Sequence, residues 1–189
     1  MRKPILIFFS LLIIFLIILT VAHAGPPAEG GTLLDIILSV PQDVQQQQYL
    51  GVTGKTVFEI PQIKSEIVII EIFSMYWPHC QREAPTVNKL YREIEDNPAL
   101  KGRVKLIGIG AGNSNYEVAH FRKTYNIPFP LFSDGDFAIH KKIGEVRTPY
   151  FFGVRLKSDG SHRIFYSKLG GPKDAGKLLK ELVQAAGLK

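Results

Sequence analysis

Residues 73–80 read Phe-Ser-Met-Tyr-Trp-Pro-His-Cys. With cysteine at Trp77, the last four would be Cys-Pro-His-Cys, a dithiol redox motif. Dithiol exchange uses two thiols: one attacks a substrate disulfide, and the other releases it from the mixed disulfide. Trp77 has no nucleophile, and Cys80 is the sole cysteine among 189 residues, so that cycle cannot run in this chain. Cys80 is then a thiol for an intermolecular partner, a reactive thiol, or an inert buried residue. Unpaired N–H groups and the dipole at a helix N-terminus favour a thiolate, but that benefit falls mainly on the first motif position, now Trp77. His79 would favour a thiolate as a cation; the plain alternative is a solvated side chain.

Two carboxylates accompany the motif. Glu71 interrupts the apolar run Ile67-Val-Ile-Ile-Glu-Ile-Phe73. An acid buried there is costly unless neutral or paired, and a buried carboxyl with a raised pKa suits proton transfer. The competing reading is a strand end where the acid reaches water. Glu83 falls in the first turn of the following helix, where the dipole stabilises an acid without any chemical role.

These residues need elements to hold them. Asp43 can cap a helix over 44–50. Lys55–Ile60 alternates as a strand does, and Ile67–Phe73 suits a strand buried on both faces. Gln81–Glu95 carries Ala84, Val87, Leu90, Tyr91 and Ile94 at helical spacing. Val104–Gly110 reads as a second buried strand, and Asn115–Tyr125 as a helix. Phe129–Phe132 reads as a short strand and Asp136–Ile143 as a short helix. Tyr150–Arg155 and His162–Tyr166 form a hairpin around Ser158-Asp-Gly160. Lys173–Ala186 is the last helix, with Leu178, Leu179, Leu182, Val183 and Ala186 inward. Alternating strands and helices imply a mostly parallel sheet between helices; the hairpin makes it mixed. Thr32–Leu50 carries no function that its residues reveal, beyond covering a sheet edge.

Hydrophobic content of 46% with 21% charge describes a foldable chain. Much of the apolar excess lies in residues 1–24. Arg2 and Lys3 precede an uncharged stretch from Pro4 to Val21, then Ala22-His-Ala24, as in a secretory signal with an A-x-A cleavage site. The stretch also reaches the roughly 18 residues that begin to span a bilayer, so an uncleaved anchor is the second reading. Either puts the domain outside the cytoplasm. Gly25–Gly31 is a linker by composition. The net charge is +6, and its bases are interspersed with acids, so nothing marks a nucleic-acid surface.

Other motifs carry less. Gly108-Ile-Gly-Ala-Gly112 follows a strand, but lacks the spacing of a dinucleotide loop. Asp134-Gly-Asp136 reads as a turn and helix cap rather than a metal site. His120, His140 and His162 have no ligand spacing with Cys80, and no metal or cofactor is expected.

The strand, the Pro-His-Cys at a helix start, the β-α-β unit and Thr148-Pro149 before a strand together resemble the thioredoxin fold over about residues 51–188. They are most similar to exported, TlpA-type thiol-disulfide oxidoreductases among the redoxins. The resemblance implies an α/β fold with a central mixed sheet flanked by helices, preceded by the signal or anchor helix. It divides the chain into 1–24, a linker and extension over 25–50, and a thioredoxin-like domain over 51–189. It implies that Cys80 is the more buried, resolving thiol. Glu71, six residues before Trp77, would be its proton acceptor, and Glu83 the acid of the C-x-x-C-x-x-E-x-P pattern. It puts Thr148 and a cis Pro149 opposite Trp77, Pro78 and His79 as a substrate-binding surface. Partners would be protein or small-molecule thiols and disulfides, with membrane association through residues 4–21 and a periplasmic location. The redoxin peroxidases' P-x-x-x-T-x-x-C pattern is absent, which argues against peroxidase action. Three accounts of Trp77 stay open: a partner-binding module built on the Trp77/Pro149 surface, a single-thiol function of Cys80, and a recent mutation or sequence error.

Overall fold

A computed structural model describes residues 25–171 and 173–188; the signal or anchor segment lies outside them. The β-branched runs form the centre. Strand β3 (Ile67–Phe73) pairs in parallel with β4 (Val104–Ala111) and antiparallel with β6 (Tyr150–Leu156). Strand β5 (Leu131–Asp134) joins β4 in parallel, and β7 (His162–Leu169) closes the hairpin with β6. The five-stranded order is β5-β4-β3-β6-β7, a mixed sheet of thioredoxin type.

Side chains alternate across a strand, and here that alternation sorts two cores. Val68, Ile70 and Ile72 of β3 face Phe58, Ile143 and Phe152. Ile67, Ile69 and Phe73 face the helices α2 (Pro78–Glu95), α3 (Asn115–Tyr125) and α5 (Ala175–Ala186). Every residue of β3 and β4 is buried, as continuous apolar runs require. In α5, Leu178, Leu182 and Ala186 are buried while Leu179 and Val183 pack half-buried at the margin.

Some boundaries differ from expectation. Helix α2 begins at Pro78, three residues earlier than its apolar spacing implies, because proline's fixed φ suits a first helical position. Strand β5 runs 131–134 rather than 129–132; the carbonyl of Pro130 already accepts from the Gly108 N–H (3.0 Å), but proline cannot donate to a ladder. Helix α4 is only Ala138–Lys142, since Phe137 before it takes φ 60°. The strand near residue 57, β2 (Val57–Glu59), does not join the central sheet. It pairs with β1 (Ile37–Ser39), a strand without a sequence signal strong enough to assign.

The glycine run proves to be packing. Gly108 and Gly110 lie in β4, where a Cβ would strike Leu131 and Asn113 respectively. Asp134 is buried, and its carboxylate accepts the N–H groups of Ile139 (2.9 Å) and His140 (2.8 Å), so the Asp134–Asp136 turn caps α4. Among the described residues, no three metal-ligating side chains cluster, and no helix is long and apolar enough to cross a membrane.

The N-terminal segment attends to sheet edges. Strand β5 pairs with β4 only from Gly108 onward, which leaves Leu106 on the open side of β4. Tyr49, from helix α1 (Val44–Leu50), fills that gap: its hydroxyl accepts the Leu106 N–H at 2.8 Å. At the far edge, Gly30 and Gly31 bond both main-chain groups of Ile164 in β7 (2.8 and 2.9 Å). Replacing Tyr49 by Phe leaves the Leu106 N–H unpaired, at a cost of about 1–3 kcal/mol. Urea denaturation should register that loss, and hydrogen exchange should place the faster-exchanging amide at Leu106.

Candidate functional site

Alternation turns Glu71 to the same face as Ile69 and Phe73, under α2 and α5. It lies in register with Gly108 on one side and Phe151 on the other. The residue is 5% exposed, so the strand-end reading fails: bonded strands flank it on both sides. Burial, with a smaller push from the charge of Glu83, raises its carboxyl from 4.5 to about 8.

After β3 the chain turns sharply, and side chains hold the turn. The Trp77 N–H bonds the Ser74 carbonyl (3.1 Å). Asn113 is fully buried, and its Oδ1 accepts from the Met75 N–H at 2.9 Å. Gln81 Nε2 donates to the Met75 carbonyl at 2.8 Å. The Tyr76 hydroxyl bonds Glu117, the acid of the capping box of α3. Asn113 and Gln81 were not singled out by spacing or composition. Asn113 stands just past the glycine run, which is the one hint that the backbone closes tightly there.

Trp77 is the N-cap residue of α2 but makes no side-chain cap bond. Its ring is 48% exposed and stacks on His79, centroids 5.6 Å apart and planes 28° apart. His79 Nδ1 lies 3.0 Å from an Arg82 guanidinium nitrogen. Pro78 is exposed. Cys80, three residues into the helix, points the other way and is fully buried. Burial lifts its thiol to about 11; the Ser74 backbone and the Thr148 side chain oppose that rise, while Glu71 and Glu83 add to it. Despite its helix-terminal position, Cys80 is therefore protonated at neutral pH and a poor nucleophile.

The Thr148–Pro149 peptide is cis. Pro149 is buried at the start of β6, and its carbonyl accepts from the Gly170 N–H at 2.9 Å. That bond brings the loop after β7 into the site, which the sequence reading missed; its signal is the Gly170-Gly171 pair. A Cβ on Gly171 would collide with the Glu83 carboxylate, so the acid seats directly on this backbone. Glu83 is half-buried, and burial raises its pKa, while His79, Arg82 and the Gly171 backbone lower it.

The structure thus gathers Cys80, Glu71, Glu83 and Thr148 into one inner cluster, and leaves Trp77, Pro78 and His79 on an outer lip. At neutral pH the inner cluster stores protons: a thiol and a carboxylic acid are both held in their uncharged forms by burial. Glu71, near 8, can take up or give a proton in the physiological range.

Comparison with known proteins bears on the family and the fold. The AhpC/TSA family matches residues 42–163, well over half of the chain. The thiol-disulfide oxidoreductase ResA of Bacillus thuringiensis subsp. konkukian is 28% identical over 99 residues, covering 52% of this chain and 54% of that protein. ResA of Halalkalibacterium halodurans is 28% identical over 76 residues, 40% of each chain. The match therefore spans about half the length of these curated relatives or less. Among solved structures, a secreted disulfide oxidoreductase of Mycobacterium tuberculosis superposes with a TM-score of 0.55 at 15% identity, over 79% of this chain and 95% of that one. A putative thiol:disulfide interchange protein DsbE from Chlorobium tepidum gives 0.60 at 12% identity, over 85% and 98%. Likeness at such identities carries the fold alone, which is thioredoxin-like. With that fold and the matched span taken together, the chain belongs to the AhpC/TSA redoxin family.

Proposed function

We propose that this chain is an exported thioredoxin-like protein of thiol-disulfide oxidoreductase type whose active site keeps its resolving half and has lost its attacking half. The observation that carries this reading is the position of Cys80: fully buried, with a thiol raised to about 11, beside the buried acid Glu71. Cys80 is the resolving thiol and Glu71 its proton acceptor; burial holds that acid's pKa up, with a smaller contribution from Glu83. In a complete site, a neighbouring thiol would attack the substrate; Cys80 would then give its proton to Glu71 in that acid's ionised form, the minor form at neutral pH. The resulting thiolate would break the mixed disulfide, releasing the substrate thiol. Trp77 removes the first step, so ordinary dithiol exchange does not turn over. The residues that remain carry the second.

One observation favours a second reading, a partner-binding module using the Trp77/Pro149 surface. Trp77 and Tyr76 are 48% and 63% exposed on one held turn, and exposed aromatics suit interface anchors. The two readings separate at Cys80: Cys80→Ser ends any thiol chemistry, but leaves partner binding through the outer lip intact.

The first test compares the wild type with Trp77→Cys in reducing a protein disulfide under excess dithiol. Only the variant should exceed the dithiol background, and adding Cys80→Ser to it should return the rate to background. Wild-type turnover that depends on Cys80 would sink the proposal.

Glu71 also predicts a pH dependence. The unfolded chain releases this proton near 4.5 and the folded chain near 8. Between those values the folded state holds the extra proton, so stability falls as pH rises, by up to about 1.4 kcal/mol per pH unit, and levels off above 8. Glu71→Gln should flatten that slope in denaturant titrations from pH 5 to 8. An unchanged slope would show that Glu71 is not the group responsible.

A further inference from the structure

The exposed apolar residues are not spread evenly. Strands β3, β4 and β5 run in parallel. Strand β6 opens at Tyr150, opposite Ile72 near the end of β3, and β7 ends at Leu169, opposite Tyr150. The ends of β3, β4, β5 and β7 therefore share one pole of the sheet. Tyr76 and Trp77 follow β3 there, Tyr116 lies in the first turn of α3 after β4, Phe137 follows β5, and Leu169 ends β7. All five are exposed, from 44% at Phe137 to 81% at Tyr116, and they are five of the nine exposed large hydrophobic residues among those described. The same pole carries Pro78, His79 and the cis Thr148–Pro149 peptide.

The chain also enters at this pole. Gly30 and Gly31 bond Ile164 of β7, and nearer the start the Pro27 carbonyl accepts from the Ser167 hydroxyl at 2.8 Å. Read backwards from Gly31, the segment thus climbs β7 toward Leu169. Gly25 then touches the loop that leads to Thr148: a Cβ on Gly144 would strike the Gly25 carbonyl. The uncharged stretch from Pro4 ends at Val21, four residues before Gly25. Four residues reach about 14 Å at most.

We propose that, with residues 4–21 kept as an anchor, the domain lies with its active-site pole against the bilayer, and the five exposed residues form a rim seated at headgroup level. Tyr76, Trp77 and Tyr116 combine an apolar ring with a polar group, which suits that depth. Scattered side chains hold a protein on a membrane weakly by themselves, but a tether makes their seating an intramolecular step at high effective concentration. The tether also decides between occupants. It keeps the β7 side of the pole within about 14 Å of the anchor, while a globular partner of about a hundred residues has a radius of gyration near 13 Å and does not fit between. Charge decides little: over residues 136–147, exposed Lys141, Lys142 and Arg147 stand against exposed Asp136 and Glu145. Seating therefore needs no anionic lipid, and a partner of this pole is met at the membrane surface.

Trp77 is the sole tryptophan of the chain, so its fluorescence reports on the rim directly. The full chain is reconstituted into phosphatidylcholine vesicles with and without bromine on the acyl chains. It should float with the vesicles. Brominated lipid should quench roughly half of the Trp77 emission or more, as for aromatic residues at the membrane interface, and aqueous iodide should quench little. Tyr116→Ser combined with Leu169→Ser removes two rim residues that stand outside the thiol–acid cluster. This double variant should float with an unchanged melting temperature, lose most of the bromine quenching and gain quenching by iodide. A wild type that floats with Trp77 open to iodide and unquenched by bromine overturns the proposal and leaves the anchor standing. Protection from iodide without bromine quenching also overturns it, since a second copy would then cover the rim. Undiminished bromine quenching in the double variant does the same, because the rim would not be what seats the domain. A chain that does not float overturns anchor and rim together, and leaves the chemistry tested by Trp77→Cys untouched.

Discussion

Strand β3 is bonded along both edges and covered on both faces, so all of its residues are buried, and one of them is an acid. An ionised carboxylate there would lose its hydration with no cation to replace it. The least costly solution is to keep Glu71 protonated until the solution is mildly alkaline. Much of the site's arrangement follows. Glu83 is half-buried, close enough to raise Glu71 further. Cys80 meets the same uncharged surroundings and stays a thiol. The Gly170–Gly171 backbone makes room for Glu83 because it has no side chain to exclude it.

Seen from this cluster, the tryptophan changes the outer half of the site and spares the inner half. The N-cap position of α2 projects outward, so Trp77 can stack on His79 in solvent without disturbing the core behind it. A bulky residue is tolerated there for the same reason that a nucleophile would be useful there: the position is exposed at a helix start. Chemistry at this site is thus separable from stability. The inner thiol and acids are held by packing, and Trp77 is one exposed side chain outside it.

The periphery shows a second division of labour. The segment before the central domain supplies a main-chain partner for β7 and a hydroxyl for β4, two repairs of open hydrogen-bonding edges. Neither repair comes from the central α/β units themselves. Strand β5 is the other edge, short and half-buried, and no described strand pairs with its outer side.

The sequence alone determined the central strands, the helix that carries Cys80 and the final helix, because apolar runs and helical spacing are local properties of the chain. It also determined that dithiol exchange is impossible, since that follows from residue type: one thiol cannot do the work of two. The proximity of Glu71 to Cys80 was legible through resemblance, and its burial through the apolar residues around it. What only the tertiary structure decided was contact between distant segments. Gly170-Gly171 meets Glu83, Asn113 holds the turn at Met75, and Tyr49 completes β4, across separations that no periodicity encodes. Strand β1 likewise exists because β2 lies beside it; three residues with one buried side chain have no pattern of their own. The pKa values belong to the same class: an acid's charge depends on what surrounds it, and the surroundings are assembled from five strands and three helices far apart in the chain.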